Sequence, residues 1–285
     1  MERHYSPHLS RSRRALLAAR RRTVPLRALV PNIVTLIGLC VGLTSIRMAI
    51  EGRFDIALAA IVVAALLDGV DGRMARLLKA SSRFGAELDS LADFVNFGVA
   101  PALVLYLWGF GDAHSLGWIV VLMFALAAAL RLARFNVALD SPDKPLWQSA
   151  FFIGIPVPAG AILVLLPLYL EALGVPKSVM VAPALSIYAI GIAGLMVSRL
   201  RSFSGKLIGR RIAREYIAPV VALAVAFAAV LATYPYLTLA IGSLIYLALI
   251  PISVRQYQKA KHEWAAMPTP ALSHNIAPPV GRKIV

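Results

Sequence analysis

The chain has 285 residues, of which 59% are hydrophobic and only 15% are charged. Soluble domains average about 45–50% apolar and about 25% charged residues, so this composition argues against a soluble enzyme, a disordered chain and a coiled coil. A single cysteine excludes a disulfide framework and any cysteine-based metal site. Lys and Arg total 29 against 14 Asp and Glu, a net charge of +15. In so apolar a chain, this excess indicates anionic lipid headgroups rather than nucleic acid as the partner.

Eight mostly apolar runs follow one another along the chain, separated by Pro and Gly residues. A transmembrane helix needs about 20 such residues, and each run approaches or exceeds that length. We therefore predict an all-α polytopic membrane protein with about eight transmembrane helices. The runs cover residues 29–49, 54–78, 88–108, 116–138, 156–173, 179–198, 216–233 and 235–254.

Basic residues collect on one side of these predicted helices. If the N-terminus is cytoplasmic, all but three of the 29 Lys and Arg residues fall in cytoplasmic segments, and Arg47, Arg53 and Lys177 lie outside. This asymmetry follows the positive-inside rule, so we expect both termini in the cytoplasm. The chain then divides into a basic cytoplasmic N-terminal segment (1–28), a transmembrane domain (29–255) and a cytoplasmic tail (256–285).

Four aspartates stand out because they lie near the ends of the second and third predicted helices. Asp68 and Asp71 are three residues apart, and Asp89 and Asp93 are four apart, so each pair shares one helix face. A carboxylate within a membrane costs roughly 2.5–3.5 kcal/mol on insertion scales and therefore marks function. If the two helices are antiparallel neighbours, the pairs converge at their cytoplasmic end. Salt bridges to nearby arginines are the alternative, but surface pairing needs no such face-matched spacing.

Four converging carboxylates repel one another strongly unless a cation neutralises them. Oxygen ligands without His or Cys favour Mg²⁺ or Mn²⁺ over zinc. Since Mg²⁺ in proteins usually shares its coordination with substrate phosphates, we expect one or two ions and a phosphate-bearing substrate. Gly72 and Gly85 would let the backbone approach a nucleotide or a second helix, and Arg76 could bind a phosphate bidentately.

The stretch from Asp68 to Asp93 reads D-x-x-D-G-x-x-A-R-x8-G-x3-D-x3-D without a departure. This pattern resembles the signature of the CDP-alcohol phosphatidyltransferase family, and the resemblance extends over roughly 29–255. It implies that the aspartates ligate a two-metal centre of Mg²⁺ or Mn²⁺, with Asp93 also acting as the general base. The implied ligands are Asp68, Asp71, Asp89 and Asp93.

The resemblance also implies a set of contacts to CDP-diacylglycerol. Part of this set belongs to a P-N-x-x-T element at the start of the first predicted helix, although Pro31 alone would equally suit a helix start. The implied contacts are Asn32, Thr35, Gly72, Ala75, Arg76, Ser82 and Gly85.

Three further elements resemble the phosphatidylserine synthase branch of the family: the run from Asp93 to Pro101, the R-L-A-R-F-N run and the G-x-P-x-P turn that follows it. An amino-acid acceptor brings a carboxylate that needs a cation, which Arg131 or Arg134 could supply, with Asn136 beside them. Both arginines could instead be positive-inside anchors. We expect L-serine as the acceptor and phosphatidylserine and CMP as products. Glycerol phosphate or inositol phosphate, bound through the basic stretch 199–214, is the alternative.

We expect a homodimer in the cell membrane, and the charge asymmetry places its active site at the cytoplasmic face. The substrates would be CDP-diacylglycerol and L-serine, and no nucleic acid is expected. A rival class is the ion-coupled secondary transporter. Transporters of that kind tend to repeat their broken helices in two halves, whereas this acidic cluster occurs once.

Overall fold

The structure is a computed structural model that describes residues 29–78, 82–111, 113–139, 151–198, 200–203 and 217–265. The predicted N-terminal segment, most of the basic stretch 199–214 and the end of the tail lie outside these described residues. The elements are α1 (Leu29–Ile50), α2 (Phe54–Leu77), α3 (Arg83–Asp93), a π-helical segment (Phe94–Val99), α4 (Ala100–Gly109), α5 (His114–Leu139), β1 (Phe151–Ile153), α6 (Val157–Val164), α7 (Leu166–Ala172), a 3₁₀ turn (Lys177–Val179), α8 (Ala182–Val197), β2 (Arg201–Phe203), α9 (Ile217–Thr233) and α10 (Pro235–Ala265).

The predicted helical class is confirmed, because helices account for nearly all of the described chain. Four helical stretches are long and apolar enough to cross a membrane by length and composition. Most of the remaining predicted runs correspond to shorter helices. Helix α2 is the exception: it is 24 residues long but carries the first aspartate pair. The count of eight spans and the orientation therefore stay predictions. The four stretches are Leu29–Ile50, Arg83–Gly109, His114–Ala138 and Pro235–Gln258.

Three predicted helix boundaries differ from those of the structure. The third helix begins at Arg83 rather than at 88, because the Ser82 side chain accepts a hydrogen bond from the backbone N–H of Gly85 and caps the helix. The predicted run 156–173 is two helices, broken at Leu165, since Pro167 lacks the N–H that a continuous helix would use. The last helix, α10, continues beyond the predicted end at 254.

A short antiparallel ladder was not predicted from the sequence. Strands β1 and β2 pair in the register Phe151↔Phe203 and Ile153↔Arg201. Gly154 follows β1 with φ +73°, and a Cβ there would lie 2.4 Å from the carbonyl oxygen of Met196. Both the backbone conformation and this close approach require glycine. The ladder attaches the start of α6 to the segment that follows α8.

Packing between α1, α2 and the π-helical segment positions the aspartates. Helices α1 and α2 make the most extensive contact between any two elements. Within α1, Gly38 and Gly42 face the side chain of the buried residue Asn96, and a Cβ at Gly42 would overlap its Oδ1 atom. The glycines thus allow the helix that carries Asp93 to approach α1 closely. This approach brings three helices together at one end of the bundle.

Candidate active site

The ends of α1, α2 and α3 line a cavity of about 160 Å³. Helix α1 contributes its first two turns, α2 its last turns and α3 its first two turns. The residues that line the cavity are Pro31, Asn32, Thr35, Asp71, Gly72, Ala75, Ser82, Gly85, Ala86 and Asp89.

The two aspartate pairs converge beside this cavity, as their spacing predicts. One carboxylate oxygen from each of Asp68, Asp71 and Asp89 lies within 4.8 Å of the others. The carboxyl group of Asp93 lies at hydrogen-bonding distance from that of Asp68. Three helical positions on α2 and α3 thus form an acidic triad, and the fourth aspartate joins it through Asp68.

Asp71 is the most deeply buried of the four aspartates, with 4% of its surface exposed. Its Oδ2 atom accepts a hydrogen bond of 2.7 Å from the Thr35 hydroxyl of α1. The same hydroxyl lies 3.1 Å from the carbonyl oxygen of Pro31, but the charged acceptor at the shorter distance is favoured. The second oxygen, Oδ1, is buried and has no hydrogen-bond partner among the described residues. A buried carboxylate oxygen without a donor is costly, and a cation would satisfy it.

Arginine salt bridges do not explain the cluster. In the part of the chain that the structure describes, the ion pairs are those of Glu51 with Arg47 and Arg53, remote from the triad. Arg76 instead donates from Nε to the carbonyl oxygen of Gly72 at 3.1 Å. The donor set therefore fits a hard divalent cation: oxygen ligands, close together, with one oxygen lacking a partner.

Six of the seven residues predicted to contact CDP-diacylglycerol line the cavity, and Arg76 does not. A Cβ at Gly85 would lie 2.8 Å from Asn32 Oδ1 and 3.1 Å from Ser82 Oγ, so the glycine makes room for two polar side chains. At Gly72 a Cβ would meet nothing within 4 Å, so packing does not require that glycine. The open space at Gly72 belongs to the cavity.

The three residues predicted to bind the acceptor each have a protein partner. Arg131 is buried and donates from Nε to the carbonyl oxygen of Ile155 at 3.2 Å. Arg134 donates from Nη1 to the carbonyl oxygen of Val197 at 2.5 Å. Asn136 donates from Nδ2 to Ser90 Oγ at 3.0 Å, next to Asp89 in sequence. Helix α5 is thus attached to the start of α6, the end of α8 and the middle of α3.

Comparison with known proteins identifies the family. The model of the CDP-alcohol phosphatidyltransferase family matches residues 28–198, and a second model, CDP-alcohol phosphatidyltransferase 2, matches residues 215–251. The chain belongs to the CDP-alcohol phosphatidyltransferase family.

Curated relatives carry the name CDP-diacylglycerol–serine O-phosphatidyltransferase. The protein from Mycobacterium leprae (strain TN) is 43% identical over 237 residues, which cover 82% of this chain and 77% of the relative. That from Mycobacterium tuberculosis (strain H37Rv) is 40% identical over 235 residues, covering 82% and 81%. That from Helicobacter pylori (strain J99) is 42% identical over 143 residues, covering 50% and 58%.

Two polar residues near the acidic triad had no role in the sequence interpretation. The Ser90 hydroxyl oxygen accepts a hydrogen bond from the Asn136 amide. Asn96 is buried one helical turn after Asp93, and its Oδ1 atom has no hydrogen-bond partner among the described residues. The sequence offered one signal for Asn96, which is a polar residue within an apolar helical run. The Ser90 contact depends on how α5 packs beside α3, which no local pattern reveals.

Proposed function

We propose that this chain transfers the phosphatidyl group of CDP-diacylglycerol to the hydroxyl group of L-serine, giving phosphatidylserine and CMP. The names of relatives that are 40–43% identical over most of the chain support serine as the acceptor. The observation that carries the chemistry is the acidic triad with its unpartnered Asp71 oxygen, beside a cavity lined by the expected nucleotide contacts.

Asp68, Asp71 and Asp89 would hold Mg²⁺ or Mn²⁺, with Asp93 as a further ligand of a two-ion centre. When bound, such ions neutralise the diphosphate and stabilise the charge that develops on departing CMP. Thr35 orients the Asp71 carboxylate, so that one oxygen is held by α1 while the other stays available. This arrangement supports a preformed site rather than one assembled by the substrate.

The cavity residues would bind the nucleotide part of CDP-diacylglycerol. Ser82 accepts the helix-capping bond through its oxygen and retains its own hydroxyl proton to donate to a phosphate. Asn32 presents an amide over Gly85, and Gly72 leaves space for close approach. Arg76 is exposed beside the cavity, and although its Nε donates to the Gly72 carbonyl oxygen, its remaining donors would bind a phosphate.

Asp93 would act as the general base. The serine hydroxyl oxygen attacks the phosphorus that bears the lipid, its proton passes to the Asp93 carboxylate, and the bond from that phosphorus to the CMP oxygen breaks. The position of Asp93 against Asp68 supports this role, because the base must lie beside the reacting phosphate.

The serine carboxylate would be bound by Arg131, with Arg134 and Asn136 nearby. Only 7% of Arg131 is exposed, and it forms no ion pair within the described segments. A buried guanidinium without a carboxylate is better suited to an anionic ligand than to a role as a headgroup anchor. Its Nε is committed to Ile155, but its remaining donors suit bidentate binding.

We further propose a homodimer in the cell membrane, with both termini and the acidic triad facing the cytoplasm. Family membership favours the enzyme over the transporter alternative. Glycerol phosphate and inositol phosphate remain the competing acceptors.

A direct competition tests the acceptor. Purified protein receives CDP-diacylglycerol with Mn²⁺ and equal concentrations of labelled L-serine, glycerol 3-phosphate and inositol phosphate, and the lipid products are separated. We expect label from serine to dominate. Preferential labelling from either phosphate-bearing alcohol would overturn serine as the acceptor while leaving the transfer chemistry intact.

A further inference from the structure

A second cavity, of about 260 Å³, lies at the end of the bundle opposite to the acidic triad. It is lined by the start of α2, the end of α4, helix α7 and the start of α10. Asp55 in its wall and Asp68 of the triad are 13 residues apart on one helix, which separates them by about 20 Å. The second cavity therefore lies near the other membrane face and takes no part in the proposed reaction.

Two carboxylates face this cavity, and each is oriented by an aromatic side chain. The Tyr236 hydroxyl donates to Asp55 Oδ1 at 2.6 Å. The indole Nε1–H of Trp108 donates to Glu171 Oε2 at 2.5 Å. These donors are neutral, so they hold the carboxylates in place without cancelling their charge. Phe54 adds a third aromatic ring to the wall.

The cations near this cavity are committed to other partners. Arg47 and Arg53 both pair with Glu51, at 2.9 and 3.8 Å. Lys177 donates to the carbonyl oxygen of Trp108 at 2.7 Å, and its ammonium lies 4.8 Å from the centroid of the Trp108 ring. Neither carboxylate of the cavity forms an ion pair with any residue that the structure describes. Each carboxylate is therefore available for a direct ion pair with a cationic ligand.

We propose that this cavity binds the primary ammonium group of a zwitterionic phospholipid headgroup. Carboxylates combined with aromatic faces are the usual protein environment for an organic ammonium. Phe54 and Tyr236 are the aromatic lining residues left to such a ligand, because Trp108 is buried and the ammonium of Lys177 already lies on its ring. A divalent metal ion is a poorer fit for this cavity. Among the described residues, three closely spaced metal-ligating side chains occur in the triad, at the opposite end of the bundle.

The charges around the cavity indicate a phospholipid headgroup rather than a free amine. Arg53 lies in sequence between two lining residues, Gly52 and Phe54, and its side chain is more than half exposed. Lys177 is also exposed at this end. Two carboxylates in the cavity wall would pair with the ammonium of a headgroup, and the exposed side chains of Lys177 and Arg53, the latter 3.8 Å from Glu51, lie where its phosphate would stay outside.

Lipid retention by the full-length protein tests this proposal without relying on phosphatidyl transfer. Wild-type protein and the double variant Asp55→Asn/Glu171→Gln are reconstituted in nanodiscs of phosphatidylglycerol and phosphatidylethanolamine in equal amounts, and retained lipids are counted by native mass spectrometry. We expect the double variant to retain phosphatidylethanolamine about tenfold less well than the wild type. Glu51→Gln removes a carboxylate at the same end but outside the cavity wall and releases Arg53 toward the lipid phosphate, so its retention should not fall below the wild-type level.

Equal retention of phosphatidylethanolamine by the wild type and the double variant would overturn the proposal, as would equal retention of the two lipids by the wild type. If free ethanolamine at an equal concentration displaces the lipid, the ligand of this cavity is a free amine and not a lipid headgroup. If the double variant does not fold, Trp108→Phe keeps an aromatic side chain but removes the N–H donor to Glu171. That variant should lose part of the phosphatidylethanolamine retention, and unchanged retention would again contradict the proposal.

Discussion

Thr35 Oγ1 lies 2.7 Å from Asp71 Oδ2, across the contact between α1 and α2. Both residues are buried, and the other Asp71 oxygen has no partner within the described chain. The hydroxyl therefore fixes the rotation of the carboxylate, which leaves one oxygen available to a cation. This contact gives Thr35 a function in positioning a proposed metal ligand, in addition to its place in the cavity wall.

Replacing Thr35 with Val should weaken metal binding. A hydrogen bond to a charged group contributes about 1.5–3 kcal/mol, so the apparent Mn²⁺ affinity should fall roughly tenfold or more. Thr35→Ser retains the hydroxyl and should restore most of the affinity. Electron paramagnetic resonance of free Mn²⁺ measures binding, and CMP release against Mn²⁺ concentration provides the second readout. If Thr35 only contacts the nucleotide, Thr35→Val would raise the KM for CDP-diacylglycerol and leave the Mn²⁺ dependence unchanged.

Asp93→Asn should stop transfer while preserving substrate binding. The amide retains an oxygen but cannot accept the serine proton, and loss of a general base typically lowers the rate about 10²–10⁴-fold. Binding of CDP-diacylglycerol should stay near the wild-type level in an equilibrium assay. Glu87→Gln, an exposed carboxylate on the same helix, serves as the control. Turnover by Asp93→Asn close to that of the control would remove Asp93 from the role of base.

Two glycines of α2 provide a matched test of the cavity. At both Gly69 and Gly72 a Cβ would meet nothing within 4 Å, so alanine should fold normally and gain helix propensity at either position. Only Gly72 lines the cavity. We expect Gly72→Ala to raise the KM for CDP-diacylglycerol several-fold, and Gly69→Ala to leave it unchanged. Equal KM values for the two variants would show that the cavity does not receive the nucleotide.

Arg131→Ala should raise the KM for serine about tenfold or more, because a charge-assisted hydrogen bond to the serine carboxylate is lost. The KM for CDP-diacylglycerol should barely change. Arg131→Lys should rescue only partly, since an ammonium cannot make the bidentate pair. The Arg131 bond to Ile155 also joins α5 to α6, so the thermal unfolding midpoint of each variant has to be measured alongside. A lower midpoint with an unaltered serine KM would make Arg131 purely structural.

The helices and the acidic triad could be predicted because their signals are local. Apolar runs of membrane length predict helices, and spacings of three and four residues place Asp68 with Asp71 and Asp89 with Asp93 on shared faces. The contact between Thr35 and Asp71 joins residues 36 positions apart and depends on the packing of two helices. No periodicity in either helix encodes it.

The β1–β2 ladder was missed for a related reason. Its strands have three residues each and are separated by about 50 residues, so neither offers a pattern long enough to recognise. The partners of Arg131 and Arg134 are backbone carbonyl oxygens of Ile155 and Val197, and carbonyl groups carry no sequence signature. The family resemblance assigned both arginines to a ligand, whereas part of each guanidinium stabilises the fold.

The most direct measurement follows both products of the proposed reaction in one vessel. Purified protein is stripped of metal with EDTA and supplied with CDP-diacylglycerol and labelled L-serine, and CMP and phosphatidylserine are quantified before and after Mg²⁺ or Mn²⁺ is added in excess. We predict no product with EDTA, and equal molar amounts of CMP and phosphatidylserine once the cation is present. Full CMP release by the EDTA-treated protein would contradict the metal centre, and CMP release without labelled lipid would contradict phosphatidyl transfer to serine.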